Sequence, residues 1–125
     1  MNNAYETIWI TKSSLTDEEV EKGEKKVREI IPAAGGTVVS LESWGRRKLA
    51  YEVQKERKGV YAIVHYNGLG ATVSALERHL RLNESTLKYI TVRIAPEQLG
   101  KTEPIKDEKP IYRGKDSAFR PPFSS

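Results

Sequence analysis

Three consecutive cations, Arg46, Arg47 and Lys48, are the part of the sequence best suited to binding chemistry. They follow Gly45 in an extended segment, where alternation sends Arg46 and Lys48 to one face and Arg47 to the other. Like charges in a row repel one another unless an anion meets them. Guanidinium groups bind phosphate oxygens in pairs, so the run predicts phosphate contact. A solvated hairpin edge, whose charges prevent aggregation, is the alternative that the spacing leaves open.

The distribution of charge also favours a polyanionic partner. The 125 residues carry a formal net charge of +4, yet residues 45–95 hold ten lysines and arginines against four acidic residues. A basic region beside the acidic residues 1–44 indicates a face directed at nucleic acid, although solubility alone would also explain it. His79 would extend a basic helix surface. The further candidates for RNA or partner contact are Tyr51, Arg78, Arg81, Lys88 and Arg93.

No set of residues predicts a catalytic or metal site. The chain has no cysteine, which excludes disulfides, thiol catalysis and thiolate ligands. His65 and His79 have no third ligand nearby in the sequence, and the acidic residues 17–24 suit a helix N-terminus. Residues 67–73 begin like a dinucleotide fingerprint but lack its third glycine. We therefore expect no enzyme, no cofactor, no metal and no small-molecule substrate.

The elements that position these residues are predicted in the order β-α-β-β-α-β. A first helix is expected from the cap at Thr16 to a stop at Gly35-Gly36, and a second over residues 71–82. The strands, rich in β-branched and aromatic residues, are expected over residues 4–11, 37–53, 60–66 and 87–94. Residues 37–53 are expected to form either one long, bent strand or two collinear pieces. This order predicts the α+β class and the ferredoxin-like split βαβ fold, with a four-stranded antiparallel sheet and two helices on one face.

Local signals refine these elements. Thr16 and Glu19 form a capping-box pattern at the first helix, and Pro32 is expected to end or bend that helix near Ile31. Gly45 inside the second strand predicts a bulge or bend. Residues 55–59 are polar and predict the turn that joins the second strand to the third.

The face of the sheet away from the helices is expected to stay open for a partner. Tyr89 and Arg93 in the last strand are predicted to lie on that face. Residues 59–66 approximate the third-strand motif of RNA recognition modules, whose aromatic rings stack on bases. The match is imperfect, because Val60 is an insertion and Ile63 replaces an aromatic residue.

Residues 96–125 differ in character from residues 1–95, which we interpret as the folded domain. They hold five of the six prolines and no periodic apolar pattern, which predicts an extended tail ordered only by a partner. The side chains expected to make the tail contacts are Tyr112, Arg113, Lys115, Phe119, Arg120 and Phe123.

The run GRRKLAYEV, residues 45–53, resembles the signature of bacterial small-subunit (30S) ribosomal protein family number six. The opening Tyr5-Glu6-Thr7 and the length of residues 4–95 are similar as well, while Lys48 and Val53 depart mildly from the pattern. The resemblance implies a ferredoxin-like fold and a place in the platform, or central domain, of the small subunit. It also implies contact with 16S rRNA and a heterodimer with small-subunit ribosomal protein number eighteen.

Three functional hypotheses follow from the sequence. The first is a structural constituent of the small ribosomal subunit; the second is a free single-stranded RNA-binding module of the RNA recognition type; the third is a small enzyme on the same fold. The GRRKLAYEV signature favours the first.

No apolar run approaches the roughly 20 residues of a membrane span, and residues 1–6 lack a signal-peptide pattern. A cytoplasmic protein is therefore expected.

Overall fold

The computed structural model describes residues 2–101, which form six regular elements and one short turn of 3-10 helix. The elements are β1 (Asn3–Lys12), α1 (Asp17–Ala33), β2 (Thr37–Val53), β3 (Glu56–Gly68), α2 (Gly70–Leu82), β4 (Thr86–Ile94) and the turn Pro96–Gln98. The strands form one antiparallel sheet in the order β2-β3-β1-β4. The predicted ferredoxin-like arrangement is confirmed.

The first helix begins at the predicted cap and ends just before the predicted glycine stop. The Glu19 amide donates to the Thr16 hydroxyl at 3.1 Å, and the Thr16 amide donates to the Glu19 carboxylate at 2.8 Å, so the capping box is confirmed. The helix ends at Ala33, two residues past Ile31 and just before the Gly35-Gly36 stop, so Pro32 lies inside its last turn. A proline in the last turn removes little more than its own N–H bond, and the helix accommodates it there.

The long β2–β3 hairpin contains a bulge and a tight turn. Its register shifts between Ser43 and Gly45, where Gly45 has a φ of 79°, and this confirms the predicted bulge. The turn was predicted over residues 55–59, and that position is wrong. The chain reverses at Gln54 and Lys55, which have φ values of 51° and 67°, and the charged residues that follow continue β3. Charged residues on an exposed strand have the composition of a turn, which explains the error.

The helices cover one face of the sheet, and the cluster beneath them is the helix-side core. It combines two residues from each helix with four from the central strands. Its members are Val27, Ile31, Leu76, Leu80, Trp9, Ala62, Val64 and Tyr66. All are 4% exposed or less, so the two helices bury this face of the central strands.

The opposite face carries a second cluster, the hairpin-side core, so the expectation of an open face is wrong. Its members are Ile8, Ile10, Trp44, Leu49, Tyr61, Ile63 and Leu87. The distal part of β2 supplies Leu49 to this cluster, and Val53 and Ile90 pack against it. The tip of the hairpin is bonded to β4, since Gln54 Nε2 donates to the Leu87 carbonyl at 3.4 Å. A twisted sheet with one very long hairpin can therefore fold that hairpin back over its own face.

The faces of β4 are the reverse of those predicted. Tyr89 lies opposite Trp9 and packs against the helix-side core, while Ile90 packs against the hairpin-side core. Arg93 lies opposite Tyr5, which also packs against the helix-side core. Both faces of β4 carry residues that pack against a core, so the alternation of apolar and polar residues did not distinguish them.

The chain after β4 returns to the sheet. The Gly100 amide donates to His65 Nδ1 at 2.9 Å, so the first residues of the predicted tail contact the domain. The domain boundary after residue 95 stays a prediction, and residues 102–125 lie outside the described part of the chain. No helix within residues 2–101 is long and apolar enough to cross a membrane.

Candidate nucleic-acid interface

The distal β2–β3 hairpin concentrates positive charge. Between residues 46 and 58 it holds six cations and two acidic residues. The ladder places Lys48 directly opposite Lys58, and both side chains are exposed. Like charges directly opposite each other destabilise a pair of strands, so this arrangement suits a site that an anion occupies. The cations are Arg46, Arg47, Lys48, Lys55, Arg57 and Lys58.

The last three of these cations were not among the sequence candidates. Lys55, Arg57 and Lys58 were assigned to a turn, although their charge run was visible in the sequence. What the sequence did not show is the register, which brings Lys58 beside Lys48 across ten residues of chain.

Arg46 points back towards the body of the protein. Its Nε donates to the Ser13 carbonyl at 3.0 Å, and its Nη1 pairs with the Asp17 carboxylate at 3.2 Å. Its Nη2 donates to the Leu15 carbonyl. The guanidinium therefore ties β2 to the loop between β1 and α1.

Arg47 and Lys88 both support the hairpin. Arg47 is half-buried, and its Nε donates to the Trp44 carbonyl at 3.0 Å across the bulge. Lys88 Nζ donates to the Tyr51 hydroxyl at 2.7 Å and lies 4.7 Å from the centre of that ring. Burial lowers the pKa of Lys88 to about 8. Tyr51 and Lys88 are thus brought together, and their contact joins the hairpin tip to β4.

The aromatic rings of β3 are not placed for base stacking. Tyr61 and Tyr66 are 1% and 0% exposed, one in each core. The Tyr66 hydroxyl lies 2.9 Å from the Thr7 hydroxyl, and burial raises the pKa of Tyr66 to about 12. Stacking on a base requires an accessible ring face. The two tyrosines of the segment that resembles the third-strand motif of RNA recognition modules therefore cannot stack on bases in this structure.

A model of the ribosomal protein S6 family matches residues 4–93 of the chain. The chain belongs to the ribosomal protein S6 family. The small ribosomal subunit protein bS6 of Koribacter versatilis is 39% identical over 117 residues, which cover 92% of this chain and 78% of the relative. The bS6 protein of Trichormus variabilis is 39% identical over 93 residues, 74% of this chain and 86% of the relative.

A solved structure agrees with this membership. The crystal structure of 30S ribosomal protein S6 from Thermotoga maritima matches with a TM-score of 0.71 and 27% identity, and the match covers 75% of this chain and 89% of that one. The predicted family, fold and place as a cytoplasmic protein of the small ribosomal subunit are confirmed. The relatives are named as ribosomal proteins rather than enzymes.

The remaining candidate cations of this S6 family member lie outside the hairpin. Arg78 and Arg81 are exposed on α2. Arg93 is exposed on β4 and donates to the Asn3 side chain at 2.8 Å. Burial, followed by the charge of Lys26, lowers the pKa of His79, which disfavours the charged form of this residue. The structure therefore does not unite these residues with Arg46–Lys48 in one site.

His65 serves the interior of the domain. Its Nε2 lies 3.0 Å from the Glu6 carboxylate, and its Nδ1 accepts from the Gly100 amide. Both ring nitrogens are thus used within the chain.

Among residues 2–101, no three histidine, cysteine or acidic side chains come together to hold a metal ion. The predicted tail contacts from Tyr112 to Phe123 lie outside the described residues.

Proposed function

We propose that the protein acts as a structural constituent of the small subunit by binding 16S rRNA together with ribosomal protein eighteen in the platform. Family membership supports the ribosomal role, and the resemblance of the GRRKLAYEV run supports the RNA and the partner. The protein works by contact rather than by catalysis, because its distinctive feature is a charged arm rather than a pair of reacting groups.

The observation that carries the RNA contact is the cross-strand pair of Lys48 and Lys58. Two exposed ammonium groups on neighbouring strands present their charge to the same side of the hairpin. Opposed like charges cost stability on the order of 0.2–1 kcal/mol. A phosphate group between them meets both charges and gains two charge-assisted hydrogen bonds. The hairpin is therefore built to meet the RNA backbone, which fixes position rather than reading sequence.

The test removes both lysines and measures salt dependence. A Lys48→Ala/Lys58→Ala double variant should bind a 16S central-domain fragment, in the presence of protein eighteen, more weakly than the natural protein. Each lost phosphate contact lowers the slope of log K against log salt by about 0.7–0.9, so the double variant should lose about 1.4–1.8. The readout is filter binding across a salt series.

The matched control removes two exposed lysines from α1. A Lys22→Ala/Lys25→Ala variant changes the net charge by the same amount at a site away from the hairpin. It should keep the salt slope of the natural protein. Equal loss of slope in the two double variants would show that the hairpin makes no particular phosphate contact and would refute this assignment.

A further inference from the structure

We infer that Arg46 is a positioning residue, which holds the hairpin in the orientation that presents Lys48 and Lys58, and is not itself a phosphate ligand. This inference rests on the proposed function, because it assigns separate roles to neighbouring residues of the same RNA-binding arm. It also narrows the sequence-based expectation, in which Arg46, Arg47 and Lys48 contact either phosphate or the partner protein.

The geometry of the guanidinium carries the inference. All three nitrogens of Arg46 donate within the chain: Nε to Ser13, Nη1 to Asp17 and Nη2 to Leu15. Binding a phosphate in paired fashion needs two parallel N–H groups on one edge of the guanidinium. Three of the five N–H groups of the guanidinium are therefore used within the chain, and Nε and Nη2 each donate to a backbone carbonyl.

The place of Arg46 in the sheet explains why a tether is useful there. Arg46 lies opposite Val60, and β1 stops pairing with β3 at the Lys12–Gly59 pair. Lys48 and Lys58 therefore lie just beyond the end of β1, where the β2–β3 hairpin is no longer paired with a third strand. Arg46 reaches from this boundary to the loop that follows β1.

The direction of the side chains links the tether to the lysine pair. Alternation along β2 puts Arg46 and Lys48 on one face, while Leu49 points into the hairpin-side core. At the same boundary Gly59 packs closely on β1, since a side chain there would collide with Ile10 Cγ2. The lysine pair thus projects from a segment held at its base by close packing and by Arg46.

The role is one of orientation more than of overall stability. The Asp17 side chain is 92% exposed and that of Arg46 is 43% exposed, and ion pairs of this kind contribute little to folding. The two carbonyl bonds have a fixed geometry that needs the planar fork of arginine, which the single ammonium of lysine does not reproduce. Arg46→Lys therefore keeps the charge but loses the tether.

The experiment compares Arg46→Lys and Arg46→Ala with Lys58→Ala as the reference for a lost phosphate contact. Binding of the 16S central-domain fragment with protein eighteen is measured across a salt series. Both Arg46 variants should weaken binding by about 3- to 10-fold and keep the salt slope of the natural protein. Lys58→Ala should lower that slope by about 0.7–0.9. A loss of slope in Arg46→Ala that Arg46→Lys restores would identify Arg46 as a phosphate ligand and overturn the inference.

Amide hydrogen exchange tests the tether without RNA. In the free protein, both Arg46 variants should exchange faster over residues 47–58 than the natural protein, while the amides of α2 stay protected. Unchanged protection of the hairpin in both variants would overturn the inference, whatever the RNA does. Failure of the natural protein to bind the fragment with protein eighteen would instead refute the proposed function, so the two failures are distinguishable.

Discussion

The two faces of the sheet are both covered, but by different means. On the helix side, α1 and α2 lie over the central strands and seal a core whose members are at most 4% exposed. On the other side, the cover is the distal part of the same sheet, and Leu49 and Trp44 remain 7% and 9% exposed. The helix side is closed by separate elements, whereas the hairpin side is closed by an arm of the sheet.

This difference separates stability from binding. The cations proposed to meet RNA lie on the arm. The arm is held by Leu49 and Val53 in the hairpin-side core and by a few polar contacts: Arg46 to the β1–α1 loop, Gln54 to Leu87, and Tyr51 to Lys88. Segments held by few buried contacts open at a lower free energy than the global unfolding. We therefore expect the hairpin side to adapt to a partner while the helix side stays closed.

The largest predicted effect compares one leucine from each core. Leu76→Ala removes a fully buried helix-side residue and should lower the free energy of unfolding by about 3–5 kcal/mol. Leu49→Ala, at the partly exposed edge of the hairpin-side core, should cost about 2–3 kcal/mol. Urea denaturation followed by circular dichroism measures both values. A larger cost for Leu49→Ala would reverse the ranking of the two faces.

A smaller effect is predicted at the bulge on the hairpin side. Gly45 has a φ of 79°, and nothing lies within 4 Å of a Cβ built there, so only the backbone opposes a side chain. Gly45→Ala should lower the free energy of unfolding by about 1–2 kcal/mol. Gly70→Ala is the control, because Gly70 also has free space but lies at the start of α2 without a positive φ. An equal change in the free energy of unfolding for Gly45→Ala and Gly70→Ala would show that a side chain does not strain the backbone at the bulge.

On the helix side the corresponding glycine substitution should be stabilising. Gly23 lies within α1, and a Cβ built there meets nothing within 4 Å. Gly23→Ala should raise the free energy of unfolding by about 0.5–1 kcal/mol, because alanine loses less backbone entropy in a helix. Thermal and urea unfolding measure this gain. A destabilised Gly23→Ala variant would mean that α1 needs the gap for a neighbour.

The smallest predicted effect is a pH dependence of stability on the hairpin side. The pKa of Lys88 is lowered to about 8 by burial, so the unfolded chain binds more protons than the folded one between about pH 8 and pH 10. Stability from this residue should therefore rise with pH across that window, and its penalty is fully present below pH 8. Lys88→Met should abolish the rise between pH 7.5 and pH 9.5, as measured by urea denaturation.

The control for this pH effect is Lys25→Met, which changes an exposed lysine on α1. It should leave the pH dependence of the natural protein intact. If Lys88→Met retained the full rise, the titration would belong to another group, and the burial of Lys88 would not be the source of the pH dependence.

The helices and strands were predictable from the sequence, but the side of the sheet on which the β4 residues lie was not. The capping box at Thr16 and the bulge at Gly45 depend on a few neighbouring residues, and both were predicted. The faces of Tyr89 and Ile90 depend on what covers β4, and both sides turned out to be covered. The turn at Gln54 and Lys55 was predicted too late in the chain, over residues 55–59, because neither residue type is typical of positive φ.

The candidate site shows the same division. The GRRKLAYEV run identified the family and the segment that carries the charge. It did not identify Lys58 as the neighbour of Lys48, because that pairing depends on the register of the hairpin. Nor did it show that Arg46 is bonded to Ser13 and Asp17, which lie 33 and 29 residues earlier in the chain.

The sequence by itself determined the order of the elements, the family and the concentration of positive charge after Gly45, since each of these is set by residue types and short spacings. Only the tertiary structure decided that Arg46 bonds to the β1–α1 loop and that Lys48 lies opposite Lys58. It also decided that the hairpin covers part of the sheet face that was expected to stay open. The physical reason is that such contacts join residues distant in the chain. Their partners are chosen by register, twist and packing, none of which a local pattern of residues contains.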